Sequence, residues 1–325
     1  MTSHDLIWTH GQARVLTTAA MLADCTFQLS RGPFAPFARA PWMGTITDTA
    51  ISGHLRQLGG DFVCLPFGRA RAVPDAPADW ARVLTVNDPC MIHGPAADAE
   101  WTVDSATAHS IALSLPYPET SPVARLTRTI AAREHAPALD LSLTIHARKA
   151  ASVSVGLHPI LRLPDQPGRL HLSADFAFGL THPGQTPFGV TQDFATLSQV
   201  PRLGGTIDMS HVPLLPQTDL NLQLCGMRGP LTATYLDEDA GLIIDWDRSL
   251  LPSLQIWHTD RGIGGAPWHN QFRGIGLEPV CAAFDLGDWA ATSANPIAAR
   301  GVPTALAITP DWPTIIRYSL AAFAT

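Results

Sequence analysis

Prolines and glycines recur along the whole chain, and their spacing limits what the chain can fold into. The 325 residues include 28 prolines and 25 glycines. A proline inside a helix removes a backbone hydrogen bond and clashes with the preceding turn, so helices of more than a few turns have little room. The sequence therefore predicts a fold built mainly from strands.

The clearest strand pattern spans residues 139–147, Leu-Asp-Leu-Ser-Leu-Thr-Ile-His-Ala. Apolar and polar side chains alternate there, which is typical of a strand with one buried face. Similar short runs, separated by turn-forming clusters, occupy residues 106–115, 123–130, 152–157, 169–172, 220–224, 231–236, 241–246, 254–258, 274–277 and 314–320. Because no long amphipathic helix or strand–helix alternation accompanies them, the pattern predicts an all-β fold, a large antiparallel β-sandwich.

The organisation of the chain is uniform. No low-complexity linker or shift in composition separates one half from the other, and no repeat of fixed period is present. We therefore expect a single domain spanning residues 1–325.

The charge balance argues against several classes of partner. The chain carries 21 basic and 28 acidic residues, a net charge of -7, and 46% hydrophobic residues. Such a chain is globular and offers no overall positive field for nucleic acid or an anionic membrane. No uninterrupted apolar stretch reaches the roughly 20 residues that a bilayer-spanning helix needs. We expect no nucleic-acid partner and no membrane association.

The N-terminal residues and the cysteines both point to a cytoplasmic protein. Residues 1–25 carry acidic and polar side chains where a secretory signal has a basic start and an apolar stretch. The five cysteines are far apart in the sequence and form no Cys-x-x-Cys pair, which favours reduced, mostly buried thiols. These cysteines are Cys25, Cys64, Cys90, Cys225 and Cys281.

Common site motifs are missing from the sequence. It contains no phosphate-binding Gly-x-x-x-x-Gly-Lys loop, no Gly-x-Ser-x-Gly nucleophile elbow and no His-Glu-x-x-His zinc motif. The 13 histidines never form the closely spaced His-x-His pair typical of a β-barrel metal site. We expect no metal.

Three segments place a titratable side chain beside glycine or proline, where a stiff backbone can hold it in a cleft. They are residues 92–101, 156–164 and 276–280. Their titratable residues are His93, His158 and Glu278, which become the first candidates for a site.

The order and spacing of these segments resemble one known family. The matching motifs are His93-Gly94 with Trp101, Gly156-x-His158-Pro159, and Glu278-Pro279. They resemble motifs of the aldose 1-epimerase (galactose mutarotase-like) superfamily, and residues 251–257 are similar to the family's proline-containing strand before Glu-Pro. The resemblance covers most of the chain, about residues 56–279. It implies a large antiparallel β-sandwich with an open sugar cleft and a cofactor-free interconversion of the two anomers of an aldose.

The resemblance also implies roles for the three candidates. Glu278 as carboxylate takes the proton of the anomeric hydroxyl, while His158 as imidazolium protonates the ring oxygen and opens the hemiacetal. Rotation about the C1–C2 bond and reversal of both transfers gives the other anomer. His93 donates a hydrogen bond near the ring and anomeric oxygens and orients the sugar.

Two more substrate-binding residues follow from the resemblance. Asp219, in Thr-Asp-Leu-Asn-Leu, matches a family aspartate that binds sugar hydroxyls. The Pro-Phe-Gly segment at residues 66–68 precedes a substrate-binding arginine, for which both Arg69 and Arg71 fit; we choose Arg69. Trp101 and Trp257 are assigned to packing ahead of sugar stacking.

Departures from the family motifs bear on the substrate. Ile160 and Leu161 replace two aromatic residues after His158-Pro159, which predicts an aliphatic wall there. Residues 95–97, Pro-Ala-Ala, lack the arginine that hexose-6-phosphate 1-epimerases carry at this place, so an unphosphorylated aldose is favoured over a phosphosugar.

Two further functions stay open beside the phosphosugar. A catalytically silent carbohydrate-binding protein would keep the sandwich and the cleft but would not need a matched acid and base. A polysaccharide lyase or hydrolase would need a long groove rich in aromatic side chains, whereas 24 aromatic residues (12 Phe, 9 Trp and 3 Tyr) are an ordinary supply for this length. The identity of the sugar, the preferred anomer and the oligomeric state stay open.

Overall fold

The computed structural model describes residues 2–73, 76–87, 92–184, 191–214 and 218–325. Four strands near the N-terminus form an antiparallel sheet in chain order: β1 (Ser3–Trp8), β2 (Gly11–Leu16), β3 (Leu22–Leu29) and β4 (Gly32–Phe34). This sheet buries alternate side chains such as Leu6 and Val15 against the main core.

The other strands in the described ranges are listed here in chain order. They are β5 (Val63–Cys64), β6 (Thr102–Ala106), β7 (Ser110–Pro116), β8 (Val123–Ala132), β9 (Ala138–Ala147), β10 (Ala151–Val153), β11 (Val155–Leu157), β12 (Ile160–Leu161), β13 (Leu170–Ser173), β14 (Phe176–Thr181), β15 (Asp193–Phe194), β16 (Val200–Arg202), β17 (Gly205–Ile207), β18 (His211–Val212), β19 (Thr218–Met227), β20 (Leu231–Tyr235), β21 (Ala240–Trp246), β22 (Ser253–Asp260), β23 (Arg273–Cys281), β24 (Leu306–Ile308) and β25 (Thr314–Ala324). The helices of the same ranges are short: α1 (Gly53–Arg56), α2 (Gly94–Asp98), α3 (Gly287–Thr292) and the 3₁₀ turns Leu197–Gln199 and Ala298–Arg300.

Two large sheets dominate the described residues. One has nine strands in the order β18-β13-β20-β21-β25-β9-β8-β7-β6, and the other has eight, in the order β15-β14-β19-β22-β23-β11-β5 with β12 also paired to β23. Neighbouring strands in both sheets run antiparallel. β9 buries Leu139, Leu141 and Leu143 in the same core cluster that contains Leu222 of β19. The predicted antiparallel β-sandwich and the predicted strand over residues 139–147 are both confirmed.

The register of the eight-stranded sheet brings the candidate residues to one place. β22 and β23 pair so that Gln255 lies opposite Glu278. The chain leaves β11, which pairs with β23, and returns in β12, where Ile160 pairs with Gly276. His158 lies in the link between β11 and β12, so the topology holds it beside the middle of β23.

A fully buried ion pair links the nine-stranded sheet to the N-terminal segment and to the residues just before β5. Arg128 of β8 donates to the backbone oxygen of Ala20 at 2.7 Å, to the carboxylate of Asp61, and to the hydroxyl of Tyr318 at 2.6 Å. Tyr318 in turn donates to Asp61 Oδ2 at 2.7 Å. Because Asp61 directly precedes Phe62, this network lies immediately next to the candidate site.

The cysteines and helices complete the description of the fold. Cys25, Cys64, Cys225 and Cys281 are buried free thiols, and Cys90 lies outside the described residues. Among the helices of the described ranges, none has the length and apolar character needed to cross a bilayer.

Candidate active site

His158 and Glu278 form the centre of the site. His158 Nε2 lies 3.4 Å from Glu278 Oε1, and both residues are buried, with exposures of 4% and 1%. Gln255 donates from Nε2 to Glu278 Oε2 at 3.3 Å. The ring of Phe62 stacks on His158 with centroids 4.4 Å apart. These contacts hold an acid–base pair in one orientation.

Gly276 creates the space that the Glu278 carboxylate occupies. The two residues are two positions apart on β23 and share a face, and a Cβ at position 276 would overlap Glu278 Oε1. The missing side chain therefore lets the carboxylate turn along the strand toward His158.

A methyl group at position 276 should displace this carboxylate. We expect Gly276→Ala to lower any turnover that uses this acid–base pair by about 100-fold, because a misplacement of about 1 Å at a reacting group has that effect. The free energy of unfolding should change by no more than about 1–3 kcal/mol, the usual cost of overpacking. Gly274→Ala is the matched control, because a Cβ there meets Phe272 and Ile160 instead. Equal loss of turnover in both variants would contradict this explanation.

His93 contributes a hydrogen-bond donor of fixed orientation. It precedes α2 with a left-handed backbone (φ 67°), and its Nδ1 accepts a hydrogen bond from the backbone N–H of Gly68 at 3.1 Å. A neutral imidazole that accepts at Nδ1 carries its proton at Nε2. Its ring lies edge-on to that of His158, with centroids 5.1 Å apart.

Burial determines the charges of these three residues. It raises the pKa of Glu278 well above its ordinary value, with a further contribution from Asp285. Burial lowers the pKa of His158 to about 3, helped by His54, and lowers the pKa of His93 well below its ordinary value. Removal from water disfavours every charged form, so His93 is neutral and the His158–Glu278 pair favours a state that is neutral overall.

Several buried polar atoms of the described site residues have no hydrogen-bond partner. Among the described residues, Glu278 Oε1, Gln255 Oε1 and His158 Nδ1 are buried without a hydrogen-bond partner. Buried polar atoms in native proteins are almost always hydrogen-bonded, and each exception calls for an explanation, such as a catalytic role or a bound ion or water. These residues therefore suit a ligand that carries several hydroxyl groups.

Asp219 and aromatic side chains form another part of the site. Asp219 Oδ1 accepts a hydrogen bond from Trp257 Nε1 at 3.1 Å. Burial raises the pKa of Asp219, and hydrogen bonds from Trp257 and Thr259 partly oppose that rise. Trp257 stacks on Phe272 with ring centroids 5.9 Å apart, and Trp268 meets Trp257 edge-on at 5.8 Å.

Arg71 approaches the site from the loop after β5. Its guanidinium donates to Asp285 Oδ1 at 3.3 Å, and His182 Nε2 lies 3.0 Å from the same oxygen. The side chain of Arg71 is 38% exposed, whereas that of His182 is fully buried.

These residues enclose a cavity of about 290 Å³. It is at the small end of the range for small-molecule sites and combines apolar walls with convergent polar groups, as such sites do. The residues that line it are His54, Leu55, Leu58, Phe62, Arg71, Ile92, His93, His158, Asp219, Asn221, Gln255, Trp257, Ile263, Trp268, Glu278 and Asp285.

Comparison with known proteins identifies the fold. No protein-family model and no curated protein matches this sequence. Among solved structures, a GalM/aldose epimerase homologue from C. elegans superposes with a TM-score of 0.68 at 14% identity, covering 100% of both chains. A galactose mutarotase-like protein from Lactobacillus casei gives a TM-score of 0.63 at 13% identity, covering 99% of this chain and 100% of that one. The fold is galactose mutarotase-like.

A third similar structure supports the same fold. It is a galactose mutarotase-like protein from Clostridium acetobutylicum, with a TM-score of 0.64 at 10% identity over 99% of this chain and 95% of that one. At such identities the likeness concerns the fold alone, and at that level the resemblance predicted from the sequence motifs is confirmed.

Within the galactose mutarotase-like fold, four of the five predicted site residues line the cavity. These are His93, His158, Asp219 and Glu278. The fifth, Arg69, is exposed, and the arginine that lines the cavity is Arg71, the alternative that the sequence left open. In a regular strand, side chains two positions apart point to the same side. Arg69 and Arg71 lie in a loop, so this rule does not apply to them and only one of the two lines the cavity.

One prediction about the surroundings of the site was wrong, and a second was incomplete. Ile160 and Leu161 are fully buried and do not appear in the described cavity wall; aromatic rings, including that of Phe62, form the wall beside His158. Trp257 packs against a core cluster, as predicted, and also lines the cavity, whereas Trp101 is a core residue as predicted.

Several residues that line the cavity were not predicted from the sequence. Among them are His54, Gln255, Trp268 and Asp285. His54 is buried, its ring lies 5.5 Å from that of His93, and burial lowers its pKa to about 4. No local sequence motif indicated His54, Trp268 or Asp285. Gln255 alone had a signal, because it lies on the strand before Glu278-Pro279 and faces the carboxylate across the pair of strands.

Proposed function

We propose that this protein is an aldose 1-epimerase, an isomerase that interconverts the anomers of an unphosphorylated aldose. The observation that carries the proposal is the 3.4 Å approach of His158 Nε2 to Glu278 Oε1 at the wall of a small, polar-lined cavity. A carboxylate and an imidazole in contact supply the two proton transfers that opening a hemiacetal requires.

The proposed reaction starts with Glu278 as carboxylate and His158 as imidazolium, and two proton transfers open the ring. Glu278 removes the proton of the anomeric hydroxyl as the C1–O1 bond becomes a carbonyl, the C1–O5 bond breaks, and O5 takes a proton from His158. After rotation about the C1–C2 bond, O5 attacks the other face of the aldehyde and both protons return. No electron or group leaves the sugar, so the proposed reaction uses no cofactor.

The burial of the pair is compatible with this sequence of steps. A carboxylate with an imidazolium holds the same number of protons as a carboxylic acid with a neutral imidazole. The neutral arrangement is the one that burial favours, and the charged one is a single proton transfer away. Hydroxyl groups of a bound sugar replace lost water around the carboxylate and stabilise the charged arrangement.

His93 fits the role of orienting the sugar. Its Nδ1 is occupied by the Gly68 N–H, which leaves the Nε2–H as a donor to an oxygen of the sugar.

We expect His93→Ala to weaken both sugar binding and turnover, by about 10-fold each, because a buried hydrogen bond to a substrate is lost. Alanine is strained at the left-handed φ of 67°, whereas asparagine tolerates it, so His93→Asn separates the ring's role from backbone strain. Binding isotherms and anomer-exchange rates measure both effects. Wild-type rates in His93→Asn would contradict the role of the ring.

The charges around the cavity favour a sugar without phosphate. Among the described lining residues, Arg71 is the one arginine or lysine, and it faces Asp219, Asp285 and Glu278. Its guanidinium is already paired with Asp285. Residues outside the described ranges include no lysine or arginine. A dianionic phosphate would find more repulsion than attraction there.

Nuclear magnetic resonance exchange spectroscopy tests the proposal. Anomer interconversion is measured with and without the protein for a panel of aldoses and their 6-phosphates, and any acceleration is repeated with Glu278→Gln. Acceleration for an unphosphorylated aldose that vanishes in the variant supports the proposal. Acceleration confined to the 6-phosphates would favour a hexose-6-phosphate 1-epimerase, and binding without acceleration would favour a silent carbohydrate-binding protein.

A further inference from the structure

Asp285 is a buried carboxylate to which the proposed reaction gives no part. Its Oδ1 lies 3.0 Å from His182 Nε2 and 3.3 Å from an Arg71 nitrogen. His182 Nδ1 accepts from the backbone N–H of Gly184 at 3.0 Å, so its proton is on Nε2 and is donated to Asp285. Two donors therefore converge on one carboxylate oxygen.

The backbone of Asp285 is joined to the Arg71 segment as well. The Arg69 N–H donates to the Asp285 carbonyl at 3.0 Å, and Gly68 forms a bridge with Leu286. Backbone and side-chain contacts together fix Arg71 relative to the end of β23. A long, 38% exposed arginine side chain samples several rotamers unless a partner restrains it.

We propose that Asp285 is a positioning residue that, buttressed by His182, holds the Arg71 guanidinium on the cavity wall where it binds hydroxyl groups of the sugar. This inference rests on the proposed function for the sugar. The bond to Asp285 occupies one guanidinium nitrogen of Arg71, and the remaining N–H groups of the planar fork are left for a ligand.

The charge of Asp285 acts on the neighbouring titratable groups. Burial pushes the pKa of Asp285 upward, but Arg71 and then His182 more than offset burial, and the pKa ends well below its ordinary value. The carboxylate is therefore ionised and adds to the effect of burial in raising the pKa of Glu278. The charged and titratable groups on which it acts are Arg71, His182, His93, His158, Asp219 and Glu278.

Asp285→Asn tests the inference through the Michaelis constant and the pH profile. Asparagine keeps an acceptor for His182 but loses the charge that holds Arg71. We expect KM to rise about 10-fold, the value of one charge-assisted hydrogen bond, with a smaller change in kcat. The pKa that Glu278 contributes to the pH–rate profile should move to lower pH, because a neighbouring negative charge has been removed.

Asp260→Asn is the matched control. Asp260 is also a buried aspartate that accepts from an arginine, Arg273, at 2.9 Å, and it is not among the described lining residues. A merely structural role for Asp285 would give both variants the same loss of stability with no change in KM or pH profile, and that result would overturn the inference.

A readout in the free protein separates this inference from the proposed function. In the wild type, the bond to Asp285 should slow rotation of the Arg71 guanidinium, measured by ¹⁵N exchange spectroscopy, and Asp285→Asn should release it. Equal rotation rates in the two proteins would overturn the positioning role even if sugars are turned over. If no sugar is turned over, the proposed function fails, and the rotation rates still decide whether Asp285 holds Arg71.

Discussion

Replacing Glu278 by glutamine is expected to lower anomer interconversion by roughly 10²–10⁴-fold, the range that a positioned general acid or base contributes. Glutamine has the shape of glutamate and can still accept the hydrogen bond from Gln255, but it cannot exchange a proton with the sugar. Sugar binding should stay within a few-fold of the wild type. Exchange rates and binding isotherms on the same preparations check both parts.

The stability of Glu278→Gln separates lost chemistry from lost folding. The pKa of Glu278 is raised in the folded protein, first by burial and then by Asp285. A carboxyl of this kind stabilises the fold in its protonated form, fully so below its unfolded pKa, and that stabilisation is lost as the pH rises through the folded pKa. Glutamine cannot ionise, so the variant should match or exceed the wild type in free energy of unfolding, increasingly so at alkaline pH.

Glu238→Gln is the control for this substitution. Glu238 is a surface glutamate paired with Arg162 and lies outside the described cavity wall. It should leave the exchange rate unchanged. Full activity in Glu278→Gln would remove Glu278 as the base, whatever the control shows.

The sequence predicted those features of the site that have a local cause. His93, His158 and Glu278 stand beside glycine or proline, and the structure uses these neighbours: Gly276 makes room for the carboxylate, and Gly94 follows the left-handed His93. The strand at residues 139–147 was visible because one face is buried and the other is not.

Features that depend on contacts between distant segments were not predicted. Arg71 faces the cavity because the segment after β5 pairs with the chain at Asp285 and Leu286, more than 200 positions later. The N-terminal sheet was also missed, although β1 and β2 alternate exposed and buried side chains along their length. Which arginine lines the site is a property of tertiary structure, and both sequence positions had the same local signal.

Removing Arg128 is expected to have the largest effect on stability. Arg128 and Asp61 are both fully buried, and Tyr318 bonds to each of them. Arg128→Met keeps much of the side chain's length but leaves the Asp61 carboxyl buried without its cation. We expect the free energy of unfolding to fall by about 3–5 kcal/mol, measured by denaturant titration, because the buried Asp61 carboxyl must either stay charged without its cation or take up a proton.

The loss of unfolding free energy in Arg128→Met should grow with pH. Burial raises the pKa of Asp61, and Arg128 and Tyr318 oppose that rise. In Arg128→Met the opposition from Arg128 is gone, so the pKa of Asp61 rises further. Above the ordinary aspartate pKa, the unfolded chain has released the Asp61 proton, whereas the folded variant still holds it. The deficit relative to the wild type should therefore grow as the pH rises above that value through the folded pKa.

Two controls bear on the Arg128 prediction. Arg128→Met combined with Asp61→Asn removes both charges and should recover part of the loss, since the two residues are directly coupled. Arg14→Met removes an exposed partner of Asp5 and should cost no more than about 1 kcal/mol. If Arg128→Met were as mild as Arg14→Met at every pH, the ion pair would not be what holds the segment before β5 against the nine-stranded sheet. Phe62, which follows Asp61 and stacks on His158, would then owe its position to packing alone.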